Sequence, residues 1–195
     1  MSTPEIPETK LRLFTALPMP ERVLKACGRL QSSLKPDFLQ LEGTSDRVRW
    51  SRTENLHLTL NFLGDTSSEL IPELLLLLEE VAARTPVLDL TLHSLDAFPK
   101  LRQAHVLVWR MAENEALNEL YTTLSNGMAV LGILPEPRPY RPHLTLARIK
   151  PPQPLAELPK PTPLSFESTH VVLFQSVLRP EGPEYTALGQ ALFRA

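Results

Sequence analysis

The chain has 195 residues, 43% of them hydrophobic and 22% charged, with a formal net charge of -2. These proportions supply apolar material for a real core, and they exclude a disordered polypeptide and a generally basic nucleic-acid coat protein. The one cysteine, Cys27, excludes an intrachain disulfide framework and a cysteine-based metal cluster.

Residues 1–9 read as a polar, flexible N-terminal tail with no basic-then-apolar secretory pattern. Lys10–Leu17 (KLRLFTAL) reads as a strand stopped by Pro18 and Pro20. Val23, Leu24, Ala26, Cys27, Leu30 and Leu34 recur at a helical period, with Cys27 expected as a small buried residue. Pro36 is expected to end that helix near Lys35, before a loop containing Gly43. Val48–Ser51 and Leu56–Leu63 read as strands, and Gly64-Asp65 as a turn. Ser67 or Ser68 can cap a leucine-rich helix reaching Arg84 and closed by Pro86. Its apolar run Leu74–Leu78 is far too short to span a bilayer, so a cytoplasmic protein with no membrane association is expected.

Val87–Ala97 alternates, with Leu88, Leu90 and Leu92 on one face and Asp89, Thr91 and His93 on the other. His105–Met111 is the next strand, and Asn114–Leu131 a helix stopped by Gly132. Tyr140–Ile149 should contain a strand, and Lys150–Pro163 a proline-rich extended connection. Strands at His170–Leu178 and Tyr185–Phe193 complete the chain. Strands mostly follow strands, which predicts antiparallel sheet with helices on one side, an α+β arrangement.

The tetrapeptide His-Leu-Thr-Leu occurs twice, at His57–Leu60 and His143–Leu146. In a strand, His57 and Thr59 share one face and Leu58 and Leu60 the other; His143 and Thr145 oppose Leu144 and Leu146 likewise. Each copy can therefore anchor a core while presenting an imidazole beside a hydroxyl. Imidazole titrates near neutrality, so one ring can accept a proton while the other donates one across a phosphate. The threonine hydroxyls can donate to non-bridging phosphate oxygens, and no metal or other cofactor is required. Arg148 is the expected phosphate cation, yet it lies five positions after His143, an odd offset that regular alternation sends to the opposite face. It joins the site only if the strand bends or ends first, for instance at Ala147. Phe62 stands at the same offset from His57 and is either core or a surface on which a base stacks.

With two His-x-Thr-x motifs, the sequence resembles the 2H phosphoesterase superfamily. Its segments RLFTALPMP, NLHLTLNFLGD and RPYRPHLTLARI resemble the bacterial and archaeal RNA 2',3'-cyclic phosphodiesterases, once named 2'-5' RNA ligases, over about Arg12 to Tyr185. The resemblance implies a single bilobal α+β domain, with two antiparallel sheets related by a pseudo-twofold around a central groove and helices outside. It implies hydrolysis of a 2',3'-cyclic phosphate RNA end to a 2'-phosphate without metal; cyclic nucleotides are a further expected substrate, and a monomer is expected. His57 and His143 match the family's catalytic pair, with His57 as general base and His143 as general acid. Thr59, Thr145 and Arg148 match its phosphate-binding residues, and Phe62 a position packing on the terminal base.

Other readings remain open at this level. The same site can run in reverse as a 2'-5' ligase, can cleave 2'-5' linkages, or can bind RNA ends without turnover. A zinc site on His57 and His143 would want a third ligand at a recognisable spacing, and none is present. His93, His105 and His170 lack paired context, and Trp50 and Trp109 read as core. Arg47, Arg49, Arg52, Arg138 and Arg141 flank the motifs, either as scattered surface charge or as a basic rim.

Overall fold

The computed structural model describes residues 9–39, 48–155 and 157–194. The expected tail (apart from Thr9), the Gly43 loop and Arg47 lie outside the described residues. Two antiparallel sheets form the framework. The first has the order β3-β1-β8-β9, from β1 (Lys10–Pro18), β3 (His57–Ser67), β8 (His170–Arg179) and β9 (Gly182–Leu192). The second has the order β2-β6-β5-β4-β7, from β2 (Val48–Trp50), β4 (Leu88–Phe98), β5 (Ala104–Met111), β6 (His143–Gln153) and β7 (Leu164–Ser168). Three helices, α1 (Glu21–Leu39), α2 (Ile71–Ala82) and α3 (Glu115–Val130), complete the α+β arrangement. None is long and apolar enough to cross a membrane.

The two sheets repeat one pattern. β1 leads through α1 to its antiparallel neighbour β3, and β5 leads through α3 to its antiparallel neighbour β6. The connecting helices change sides. On α1, Gln31 bonds Leu146 of β6, Arg22 bonds the Ser165 carbonyl of β7, and Phe38 packs its ring 5.4 Å from that of Trp50 in β2. On α3, Ser125 bonds Asn61 of β3. Each sheet is thus covered partly by the helix that joins strands of the other, and one apolar cluster runs through both, from Leu13 and Leu58 to Leu90 and Leu144.

Several expectations need correction. Pro36 lies inside α1, where it removes the backbone bond to the carbonyl four residues earlier, yet the helix continues to Leu39. Phe38, 5% exposed, secures that last turn against Trp50, which is half-buried rather than core; Trp109 is buried as expected. Gly64-Asp65 is not a turn. β3 runs on to Ser67, with Leu13 paired to Gly64 and Phe14 to Phe62, so Leu63 is an extra residue in the ladder. Gly64 takes φ 68 at this bulge, a conformation that suits glycine. Gly64→Ala should therefore cost about 1–2 kcal/mol in a urea unfolding titration.

The proline-rich stretch begins inside β6, because Gln153 still pairs with Ala104. Pro151 and Pro152 fall in the irregular interval between that pair and Arg148–Val106, where no ladder donor is required. β7 (LSFES) was not expected; it adds to β4 through Phe166 opposite Leu90.

Candidate active site

Each motif opens a strand. Leu58, Leu144 and Leu146 are fully buried, and Leu60 nearly so, while His57, Thr59, His143 and Thr145 stand half-buried on the opposite face. Regular alternation would next turn Asn61 and Ala147 outward, and Phe62 and Arg148 inward. A bulge in each strand reverses this. Ala16 pairs with Thr59 but Phe14 with Phe62, and Val108 pairs with Thr145 but Leu107 with Ala147. Each motif strand therefore carries one residue too many. Leu60 and Asn61 are both buried in β3, as are Leu146 and Ala147 in β6. The parity then flips, and Phe62 (45% exposed) and Arg148 emerge on the same face as the histidines and threonines.

The imidazoles are held alike. His57 Nδ1 lies 2.8 Å from the Asn55 carbonyl oxygen, and His143 Nδ1 lies 2.6 Å from that of Arg141. A carbonyl only accepts, so each Nδ1 carries the hydrogen and each neutral ring keeps its lone pair on Nε2. Burial pushes the His57 pKa down, the Asn55 carbonyl opposes that shift, and the charge of His143 lowers it further. His143 is also lowered, first by burial and then by Arg148 and Arg110, against the raising effect of the Arg141 carbonyl. The motif strands β3 and β6 come into contact, although they belong to different sheets.

Aromatic rings wall both histidines. The ring centroids of Phe14 and Tyr185 lie 4.8 and 5.1 Å from that of His57, and Phe98 meets His143 edge-on at 4.9 Å. The pKa of the Tyr185 hydroxyl is raised by burial, an effect opposed by the charges of Arg148 and Arg12. Arg12 lies 4.5 Å over the Phe62 ring. Arg110 sits directly opposite His143 in the ladder and is paired with Asp96 at 3.3 Å.

Tyr185, Arg12 and Arg110 were not singled out from sequence. The available signals were an arginine alternating with Phe14 in β1 and another inside the apolar run of β5. Tyr185 carried none, because its place depends on long-range pairing through β8.

Elsewhere, His93 and His105 are exposed and His170 is half-buried. Cys27 is fully buried on α1, and burial pushes its thiol up to about 12. The described flanking arginines differ in their surroundings. Arg138 is paired with Glu136 at 2.9 Å, Arg49 donates to the Pro180 carbonyl at 3.1 Å, and Arg52 and Arg141 are exposed. Among the described residues, no three His, Cys, Asp or Glu side chains are grouped to hold a metal ion.

Comparison with known proteins gives a consistent picture. The sequence model of the 2'-5' RNA ligase superfamily matches residues 30–178. An RNA 2',3'-cyclic phosphodiesterase of Methanothermobacter thermautotrophicus is 30% identical over 185 residues, covering 91% of this chain and 96% of the relative. One from Thermus thermophilus is 32% identical over 187 residues, covering 91% and 88%. Among solved structures, E. coli LigT complexed with 3'-AMP superposes with a TM-score of 0.79 at 26% identity, covering 95% of this chain and 99% of that one.

Proposed function

The chain belongs to the 2'-5' RNA ligase superfamily, and on that premise we propose that it hydrolyses RNA 2',3'-cyclic phosphate ends to 2'-phosphate ends by two-histidine acid–base catalysis. The observation that carries this reading is the matched pair of imidazoles, each with Nδ1 tied to a carbonyl two residues upstream and Nε2 left for proton transfer. Relatives named RNA 2',3'-cyclic phosphodiesterase, similar over nine-tenths of the chain, support the substrate class.

In the proposed reaction, His57 Nε2 takes a proton from water as the water oxygen attacks phosphorus. The bond from phosphorus to the 3' oxygen breaks, and protonated His143 gives its Nε2 proton to that oxygen. The products are a 2'-phosphomonoester and a free 3'-hydroxyl. The rings return to their starting protonation by exchange with solvent. Thr59 and Thr145 donate to the non-bridging oxygens, and Arg148 pairs with the phosphate charge as it grows. Phe62 offers its exposed face to the terminal base. Phe14 and Tyr185 keep water from solvating an imidazolium at His57, which favours the neutral base. Protein side chains supply every proton and charge in this scheme, so it is metal-independent.

The test is incubation with an oligonucleotide bearing a 2',3'-cyclic phosphate in excess EDTA. The expected product is the 2'-phosphate, at a rate unchanged by the chelator. A requirement for added metal, or release of a 3'-phosphate, would overturn the scheme. Including a 5'-hydroxyl acceptor strand in the same reaction separates hydrolysis from ligation, and the hydrolytic product should dominate in water.

A further inference from the structure

A β-bulge withdraws backbone groups from the ladder, and buried groups so released need other partners. At the β6 bulge a side chain from the crossing helix meets the backbone directly, whereas at the β3 bulge Thr15 of β1 meets the backbone amide and the crossing helix bonds the side chain of Asn61. Gln31 on α1, 5% exposed, donates from Nε2 to the carbonyl oxygens of Ser51 (2.9 Å) and Leu146 (3.0 Å). Leu146 is the first of the two consecutive core residues in the β6 bulge, and its carbonyl also accepts from the Ser51 amide at 2.9 Å. In β3 the counterpart is Asn61. Its backbone amide donates to Thr15 Oγ1 at 3.2 Å, its Oδ1 accepts from the same hydroxyl at 3.2 Å, and its Nδ2 donates to Ser125 Oγ on α3 at 2.6 Å. The two fastenings use different residues for one task, each bolting a motif strand to the helix that crosses from the other sheet.

We propose that Gln31 is a positioning residue for the reaction: by holding the Leu146 carbonyl, it fixes the bulge that turns Arg148 toward the phosphate. The inference rests on the assignment of Arg148 to the phosphate made above. Without the bulge, Arg148 falls on the core face and Ala147 takes its place in the groove. One amide in a helix remote in sequence thus decides whether the site has its cation. Gln31 touches neither substrate nor imidazole in this account and acts through Arg148 alone.

A double-mutant cycle tests it. Gln31→Met keeps the length of the side chain and removes both donors. KM for a dinucleotide 2',3'-cyclic phosphate should rise about tenfold, with a much smaller change in kcat. In an Arg148→Ala background the same substitution should move KM by less than about twofold, because the group it positions is already gone. Ser125→Ala, which loosens the bulge under the other motif, should keep its full effect in that background and so reports any general loosening. Melting temperatures are measured throughout. Gln31→Asn, whose amide is one methylene too short to reach both carbonyls, should show the same coupling and replaces Gln31→Met if that variant does not fold.

Additive effects of the Gln31 and Arg148 substitutions would overturn the inference, since Gln31 would then act on stability or on another group. An Arg148→Ala enzyme with wild-type KM would instead overturn the phosphate assignment beneath it, and the inference with it.

Discussion

His57→Ala and His143→Ala should each lower kcat on a cyclic-phosphate oligonucleotide by at least about 10²-fold, the usual scale for a positioned proton-transfer group. Such a loss is about 2.7 kcal/mol of transition-state stabilisation. KM should change little, because Thr59, Thr145 and Arg148 still engage the phosphate in both variants. The two losses should not add. Once water must both lose its proton and supply the leaving group's without help, removing the second ring has little left to remove, so the double variant should resemble the slower single one. Neither substitution should threaten the fold, since both rings lie on the groove face while the neighbouring Leu58 and Leu144 carry the packing. Steady-state kinetics on purified variants decide it. A wild-type rate from either one would leave the proposed mechanism without one of its two proton carriers.

The pH profile should be equally large in effect. Both imidazoles are held below the ordinary histidine value, chiefly by burial and then by positive neighbours. The reactive form of the free enzyme has one ring neutral and one protonated, so kcat/KM should be bell-shaped with its maximum on the acid side of about 6.5. Above that maximum the second proton is lost, and kcat/KM should fall about tenfold per pH unit. The two limbs belong to the coupled pair rather than to one ring each. Bound substrate changes the balance, because a cyclic phosphodiester is an anion and favours the imidazolium form. The kcat profile should therefore lie at higher pH than the kcat/KM profile. Rates measured from pH 4.5 to 9 in buffers of constant ionic strength suffice, and a kcat/KM that rises or stays level from pH 6.5 to 9 would contradict paired imidazoles.

The parts of this molecule that obey short-range periodicity were legible in the sequence. Leu88, Leu90 and Leu92 alternate as expected, Asn114 and Gly132 bracket α3, and the two histidine-threonine pairs share faces opposite their leucines. The errors fall where a distant partner overrides a local signal. Pro36 stays within α1 because Phe38 has Trp50 to pack against. Gly64 continues a strand because Leu13 of β1 pairs with it. Arg148 was the sharpest case. Strict alternation sends it to the core, and only the resemblance to known enzymes argued otherwise. The bulge that reconciles the two depends on Gln31, far away in the chain and with no motif to mark it. Tyr185 beside His57 was invisible for the same reason: strand pairing, not spacing, brings it there.

The exchange of helices between the sheets has a consequence for how substrate enters. To part the halves, α1 would have to leave β6 and α3 would have to leave β3, stripping apolar surface from both sides at once. A clamshell motion would therefore break the contacts of both helices together. Under the proposed function, selection among RNA ends would then rest on the fit of the terminal nucleotide against the two histidine strands rather than on closure around it.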